Sequence, residues 1–243
     1  MKWNDNLGAS DSMEAAERKG IEMPLQNRVD PLGDIHAVAG RGMFTGNRGV
    51  IHDPATRRLL KRRWTTRAWI VCVCAFRGRR RDVMGRNAPS GAAGWTELFF
   101  LDEVTALAAG HRPCFYCRRE RATAFVAACA EAFGGKPPKA PQLDTRLHGE
   151  RLASAGSVPA VKATELEALP DGAMVAKGGD CFAKHDGRWV KWTFAGYGDS
   201  HDLARPGAQD LPLLTPKTTL AALQAGYRPD WHPSIGAMVE SGT

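Results

Sequence analysis

Apolar residues along this chain occur in short runs and in helical spacing, and none of the runs is long. The runs at 69–76 and 98–101 have the length and the aromatic or β-branched character of buried strands. A third apolar pattern repeats every three or four residues and predicts a helix over about 118–133. Its members are Ala122, Phe125, Val126, Cys129 and Phe133. Because a bilayer-spanning helix takes about 18 to 20 apolar residues, we expect no membrane association.

Glycine and proline mark the ends of further elements. Gly110 follows an alanine-rich stretch at 102–109, which predicts a short helix that ends there. The segment 134–141 concentrates glycine, proline and lysine, which is typical of a linker. Asp186 and Gly187 separate two alternating segments, a pattern that predicts a β-hairpin. Helices and antiparallel strands in one chain indicate an α+β fold class.

Positive charge is concentrated in one segment. The 243-residue chain has a formal net charge of +7, and residues 57–86 contain eleven Lys or Arg residues and a single acidic residue, Asp82. Arg79, Arg80 and Arg81 follow the apolar run at 69–76, so we expect them at the end of a strand. Guanidinium groups presented there could bind phosphates. DNA or RNA is the expected partner, and an anionic small molecule or an ordinary solvated face are the alternatives.

The chain contains six cysteines, and its first 30 residues have no apolar segment typical of a secretory signal. We therefore expect a cytoplasmic protein with free cysteines rather than a disulfide framework. Cys129 falls on the apolar stripe of the predicted helix, and Cys181 begins a predicted strand. Both are interpreted as structural residues.

Cys114 and Cys117 form a C-x-x-C pair just before the predicted helix at 118–133. A tight turn of this kind lets two thiolates reach one metal ion, and the helix N-terminus favours their negative charge. Redox-active cysteine pairs share the spacing, but a thioredoxin-type pair would follow directly on a strand. Here Gly110 ends a helix and Pro113 fixes a turn instead. The pattern therefore favours a Zn²⁺ site.

The third and fourth zinc ligands are less constrained by spacing. Cys72 and Cys74 point to the same face if their run is a strand, so either thiol could reach the ion. We favour Cys72 as the third ligand. We favour His52 as the fourth, on the expectation that residues 49–52 and 69–72 are paired strands. The remaining alternatives are Cys74 and His111.

Residues 99–118 resemble part of a known metal-binding domain. The stretch FFLDEVTALAAGHRPCFYCR is similar to the second half of the zinc-binding domain of the Ada methylphosphotriester-repair protein. There, an aromatic-ended strand, a short helix, a C-x-x-C turn and a basic helix follow one another. The core TELFFLDE also resembles an uncharacterised bacterial family. The resemblance implies an Ada-like local fold. Methyl transfer to a cysteine is not expected, because the Ada-type C-x-x-x-C pair is replaced here by Cys72-Val73-Cys74.

Residues suited to acid–base chemistry share one helix face after the linker. Asp144, His148 and Arg151 lie at i, i+4 and i+7 if this segment is helical, and Glu150 is close by. His148 could act as a general acid or base oriented by Asp144 or Glu150. That reading indicates an enzyme acting on nucleic acid, a nucleotide or another anionic molecule. A surface salt-bridge pattern is the alternative.

These patterns predict four parts of the chain. They are a flexible leader (1–30), a basic zinc-knuckle domain with a small antiparallel sheet and one long helix (31–135), a linker with a helical segment (136–160) and a β-rich module (161–243). The leading functional hypothesis is a zinc-stabilised protein that binds DNA or RNA. The arginines expected to hold phosphates are Arg79, Arg80, Arg81, Arg118 and Arg119.

Overall fold

The fold combines a mixed six-stranded sheet, an antiparallel four-stranded sheet and a set of short and medium helices. The structure is a computed structural model that describes residues 23–78, 81–154, 158–204 and 209–238. The helices in these ranges are α1 (Glu103–Ala108), α2 (Arg119–Phe133), α3 (Ala140–Ser154), α4 (Lys217–Gln224) and two 3-10 helices (Ala163–Ala168 and Pro233–Met238). In the described part of the chain, no helix has the length and apolar character that crossing a membrane requires.

Most strands are short. The six-stranded sheet contains β1 (Arg28–Val29), β2 (Ile35–His36), β3 (Phe44–Asn47), β6 (Ile70–Val73), β7 (Leu98–Phe100) and β8 (Arg112–Pro113), in the order β2-β1-β7-β3-β6-β8. The four-stranded sheet runs in chain order through β10 (Met174–Lys177), β11 (Asp180–His185), β12 (Arg188–Thr193) and β13 (Gly196–His201). Two further pairs are β4 (His52–Asp53) with β5 (Arg58–Leu59), and β9 (Ala160–Val161) with β14 (Leu211–Pro212).

The α+β class is confirmed, but the N-terminal sheet is mixed rather than antiparallel. β1 runs parallel to β7, and β8 runs parallel to β6. Both parallel strands are only two residues long. Each is separated in sequence from its parallel partner by far more than a hairpin turn, as parallel pairing requires.

Several local predictions are confirmed. α2 spans Arg119–Phe133 and ends at Gly134 with a left-handed φ of 65°. α1 ends before Gly110, whose φ of 79° is the conformation in which glycine terminates helices. The hairpin between β11 and β12 turns at Asp186 and Gly187, and the φ angle is positive at both residues.

The predicted pairing of residues 49–52 with 69–72 is wrong. β6 pairs with β3, so that Cys72 lies opposite Thr45, while β4 forms its own pair with β5. The chain turns at Gly49, whose φ is 92°, and an added Cβ at this position would lie 2.0 Å from Oγ1 of Thr65. Beyond this turn, His52 pairs with Leu59 of β5 rather than with a residue of β6.

Apolar cores join the segments on either side of the predicted linker. One cluster packs Leu107 and Phe125 against Leu143, Leu147 and Leu223. Another packs Leu101 and two residues of α1, Val104 and Ala108, against the four-stranded sheet. At the N-terminal side, residues 1–22 of the predicted leader lie outside the described residues, whereas Val29 is fully buried in β1.

Two buried carboxylates at the start of α1 connect these parts. Asp102 caps α1 by accepting from the backbone N–H of Thr105 (2.9 Å). It also accepts from the hydroxyl of Tyr197 (2.7 Å) and the backbone N–H of His232 (3.1 Å). Burial raises the pKa of Asp102 despite these hydrogen bonds. The four-stranded sheet and the C-terminal segment are therefore attached to α1 through one side chain.

Glu103, the next residue, makes a second set of buried contacts. Its carboxylate accepts from the hydroxyl of Tyr227 (2.6 Å) and the backbone N–H of Asp230 (2.8 Å), and it forms an ion pair with Arg118 (2.9 Å). Burial alone would raise the pKa of Glu103, but the charge of Arg118 and these hydrogen bonds outweigh it, and the pKa is lowered. The carboxylate is therefore held in its charged form.

We expect Tyr197→Phe to destabilise the protein by about 1.5–3 kcal/mol, because it removes a hydrogen bond to a buried carboxylate. Equilibrium unfolding in denaturant at neutral pH measures this loss. Thr123→Val is the control, because it removes a hydroxyl from an exposed position of α2, and its effect should stay within about 0.5 kcal/mol. Equal losses in the two variants would contradict the role assigned to Asp102.

Candidate metal centre

Backbone pairing brings two distant segments together at the candidate centre. β6 and β8 run side by side, with Ile70 opposite Arg112 and Val71 opposite Pro113. The backbone N–H of Cys114 then donates to the carbonyl of Val71 (3.0 Å). Cys114 therefore lies beside Cys72, the residue that follows Val71.

The chain next makes a tight turn, residues 114–117, which we call the cysteine turn. The backbone N–H of Arg118 donates to the carbonyl of Cys114 (3.0 Å), which closes the turn, and α2 begins one residue later. Cys117 is thereby folded back toward Cys114, as the C-x-x-C spacing predicts.

The three sulfur atoms form a cluster. The Sγ atoms of Cys72, Cys114 and Cys117 all lie within 4.8 Å of one another. Two sulfurs that bind one zinc ion at about 2.3 Å each lie about 3.8 Å apart in tetrahedral geometry. The observed spacing fits such an ion, and all six cysteines of the chain are free of disulfides.

Backbone hydrogen bonds and the thiols themselves favour negative charge in the cluster. The backbone N–H of Tyr116 donates to Sγ of Cys114 (3.4 Å), and that of Val73 donates to Cys117. Hydrogen bonds from the thiols of Cys117 and Cys72 lower the pKa of Cys114 and raise their own pKa values. A divalent cation would let all three thiols ionise. The cluster could hold a metal ion such as zinc.

His52, predicted as the fourth ligand, is not part of this cluster. It is buried, and its Nδ1 lies 2.7 Å from Oγ1 of Thr96. Its Nε2 lies 3.4 Å from the carbonyl oxygen of Gly85. Both ring nitrogens therefore have partners elsewhere in the described chain, which follows from the separate pairing of β4 with β5.

The two alternative ligands also have other contacts. The thiol of Cys74 donates to the carbonyl of Met43 (3.4 Å). His111 is fully buried between the rings of Phe100 and Trp69, and its Nε2 accepts from Nε of Arg48 (3.4 Å). The metal-ligand cluster found among the described residues contains three cysteines and neither of these side chains.

The five arginines predicted to hold phosphates occupy different environments. Arg79 and Arg80 lie outside the described residues. Arg81 is half-buried, bonds Glu97 (2.5 Å) and stacks on Trp95. Arg118 lies in the interior, with its side chain 3% exposed, because Glu103 and Asp230 bind it there. Arg119 is exposed at the first position of α2.

The predicted acid–base residues lie on α3, and the hydrogen bonds described for their carboxylates go to other residues. Asp144 binds Arg112 through two hydrogen bonds of 2.7 and 2.8 Å. Glu150 accepts from the backbone N–H and the hydroxyl of Thr218 at the start of α4. Neither carboxylate is a hydrogen-bond partner of His148 in the described contacts.

His148 itself is buried against the ring of Trp64, with ring centroids 4.5 Å apart. Burial, followed by the charges of Arg151 and Arg67, lowers its pKa, which favours the neutral ring. Its Nδ1 is buried without a partner in the described structure. The catalytic assignment of His148 stays a prediction.

Sequence reasoning did not identify an aromatic group beside the cysteine turn. The ring of Tyr116 is 55% exposed and packs edge-on against Phe76, with centroids 5.1 Å apart. The guanidinium of Arg77 lies 5.1 Å from the Phe76 ring centre and 5.7 Å from that of Tyr116. The sequence offers one signal for this group. Phe76 and Arg77 follow soon after Cys72, and Tyr116 lies between Cys114 and Cys117.

Comparisons of the chain with protein-family models, with curated proteins and with solved structures gave no match.

Removing any one sulfur of the cluster should remove the metal. We expect Cys72→Ser, Cys114→Ser and Cys117→Ser each to lose most of about one equivalent of zinc, because thiolate ligands supply most of the binding energy of structural zinc sites. Elemental analysis of purified, desalted protein measures the metal content.

Cys74→Ser and His52→Gln are the matched controls, since both side chains have partners outside the cluster. They should retain the metal. Metal loss in a folded His52→Gln variant, or full retention in the three cluster variants, would contradict the arrangement.

Proposed function

We propose that this protein is a zinc-stabilised nucleic-acid-binding protein that contacts phosphates through an arginine-rich surface. The observation that carries the proposal is the exposed Tyr116 ring on the cysteine turn with Arg77 beside it. An aromatic face next to a guanidinium is the combination on which proteins stack nucleic-acid bases and hold the adjoining phosphates.

The geometry of this group suits stacking. Phe76 is half-buried and supports Tyr116 at an interplanar angle of 64°. The support leaves the Tyr116 ring on the surface while it restricts its motion. Binding a base therefore orders fewer side-chain rotamers than it would on an unsupported ring.

Further cations extend the proposed surface. Among the described basic residues of 57–86, three form ion pairs, namely Arg57 with Asp82, Arg63 with Asp34, and Arg81 with Glu97. The other described cations of this segment are exposed and form none of the ion pairs seen in the described chain: Arg58, Lys61, Arg62, Arg67, Arg77 and Arg86. Positive charge that no ion pair neutralises attracts a polyanion.

Zinc has a structural role in this proposal. When bound, the ion would be coordinated by the thiolates of Cys72, Cys114 and Cys117, and it would so link β6 to the cysteine turn. Phe76-Arg77 follows β6, and Tyr116 lies in the turn, so this link sets the spacing of the stacking group. The resemblance of residues 99–118 to the zinc-binding domain of the Ada repair protein supports the same reading. Arg118 is not included among the phosphate contacts, because it is bound internally.

We expect affinity for short single-stranded oligonucleotides to fall steeply as salt rises, because binding releases counterions. Tyr116→Ala should weaken binding about fivefold or more, since a base stack contributes about 1–3 kcal/mol. Arg77→Gln should weaken binding and make its salt dependence shallower. Fluorescence anisotropy with labelled DNA and RNA over a salt series measures the affinity and its salt dependence for the unaltered protein and for both variants.

Arg188→Gln is the control, because Arg188 is an exposed arginine on the hairpin of the four-stranded sheet. Its affinity and salt slope should match those of the unaltered protein. Undetectable binding at low salt, binding that salt does not change, or equal losses in Arg188→Gln and Arg77→Gln would refute the proposal.

A further inference from the structure

A cavity of about 570 Å³ opens where α2 ends and α3 begins. This volume is in the range of sites for small molecules. Lys136 and Lys139 line it from the connection between the two helices, and Arg146 lines it from α3. Cys129 and Leu143, each 1% exposed, provide an apolar part of the wall.

The charge of the lining is entirely positive. Lys136, Lys139 and Arg146 contribute three cations, and no acidic residue lines the cavity. None of the three takes part in the ion pairs seen in the described chain. Like charges around one concave surface repel each other, and an anion bound between them would relieve that repulsion.

Glu150, which contacts the lining through Thr218, already has hydrogen-bond donors. Thr218 also lines the cavity, and its hydroxyl and backbone N–H both donate to the carboxylate of Glu150, at 2.5 and 3.0 Å. Glu150 therefore satisfies backbone and side-chain donors at the start of α4. It is not an ion-pair partner of the three cations.

Arg146 is partly ordered before any ligand arrives. Its guanidinium lies 3.9 Å from the centre of the Phe133 ring, a cation–π contact that restricts the long side chain. A restricted guanidinium loses less conformational entropy when it binds, and its planar donor edge matches carboxylate and phosphate oxygens.

The apolar wall argues for an organic anion rather than a bare ion. Pro137 and Pro138 line the cavity together with Cys129 and Leu143. A second cavity of about 340 Å³ shares Pro137, Pro138 and Lys139 and is lined mainly by apolar residues, including Phe115. A ligand with an apolar body and one charged group would match both kinds of lining.

We infer that the cavity between α2 and α3 binds a small organic molecule carrying a phosphate or carboxylate group, with Lys136, Lys139 and Arg146 holding the anion and the Cys129–Leu143 wall contacting its apolar part. The inference is independent of the proposed nucleic-acid surface, since it uses none of the residues assigned to that surface.

Isothermal titration calorimetry with phenyl phosphate, benzoate, phenol and inorganic phosphate, at constant ionic strength, tests the inference. We expect phenyl phosphate or benzoate, or both, to bind at least tenfold more tightly than phenol, which lacks the charge. The same anion should bind at least tenfold more tightly than inorganic phosphate, which lacks the apolar body. The ratio of the affinities for phenyl phosphate and benzoate shows whether the site prefers a phosphate or a carboxylate group.

The variant Lys139→Gln/Arg146→Gln should weaken binding of the organic anion at least tenfold. Both residues are exposed, so the variant should keep its unfolding temperature. Lys177→Gln is the matched control, because Lys177 is an exposed lysine at the end of β10. The inference is overturned if neither organic anion binds at millimolar concentration, or if phenol or inorganic phosphate binds as tightly as the organic anion. It is also overturned if Lys177→Gln weakens binding as much as the double variant does.

Discussion

Two adjacent buried carboxylates at the start of α1 constrain the packing of the described chain. A charged carboxylate without partners in a protein interior costs several kcal/mol, so each one must be surrounded by donors. Asp102 takes its donors from Tyr197 and His232, and Glu103 takes its donors from the helix after the cysteine turn and from the C-terminal segment. Three separate stretches must therefore meet at α1 before both carboxylates have their donors. The two halves of the chain are joined by this requirement as well as by apolar packing.

The same constraint helps to position the candidate metal centre. Arg118 follows Cys117 directly, and its ion pair with Glu103 anchors the start of α2 against α1. On the other side, Cys114 is fixed to the carbonyl of Val71 by a backbone hydrogen bond. The cysteine turn is thus held at both ends by contacts that do not involve sulfur. A metal ion would bind to a site that is largely preorganised, and most of its binding energy would remain for stabilising the thiolates.

Local patterns in the sequence predict the elements of this fold, and contacts between distant segments decide the rest. The helices α1 and α2 and the hairpin at 186–187 are encoded by neighbouring residues, and so is the approach of Cys114 to Cys117. A place for His52 at the metal centre requires residues 49–52 to pair with 69–72, and strand pairing depends on where the chain turns as well as on apolar pattern. Arg118 and Arg119 look equivalent in the sequence, yet one is buried and the other exposed. The difference arises because Glu103 in α1 forms an ion pair with Arg118 and not with Arg119. No local sequence pattern reveals that partner.

The same helix-ending sequence motif occurs twice in the chain, and its last residue is a cysteine in one copy and an aspartate in the other. The sequences AGHRPC at 109–114 and AGYRPD at 225–230 each follow a helix, α1 and α4, and each helix ends in the same way. The backbone N–H of Gly110 or Gly226 donates to the carbonyl three residues before it, and the next N–H donates to the carbonyl five residues before it.

The final residue of the motif differs between the two copies. Cys114 could offer a soft thiolate to a metal, whereas Asp230 offers a hard carboxylate to Arg118 (2.7 Å). Because Arg118 directly follows the cysteine turn, the second copy of the motif binds the chain just beyond the site that the first copy helps to build. The C-terminal segment therefore contacts the residue that directly follows the candidate metal centre, although more than 100 residues separate them in the sequence.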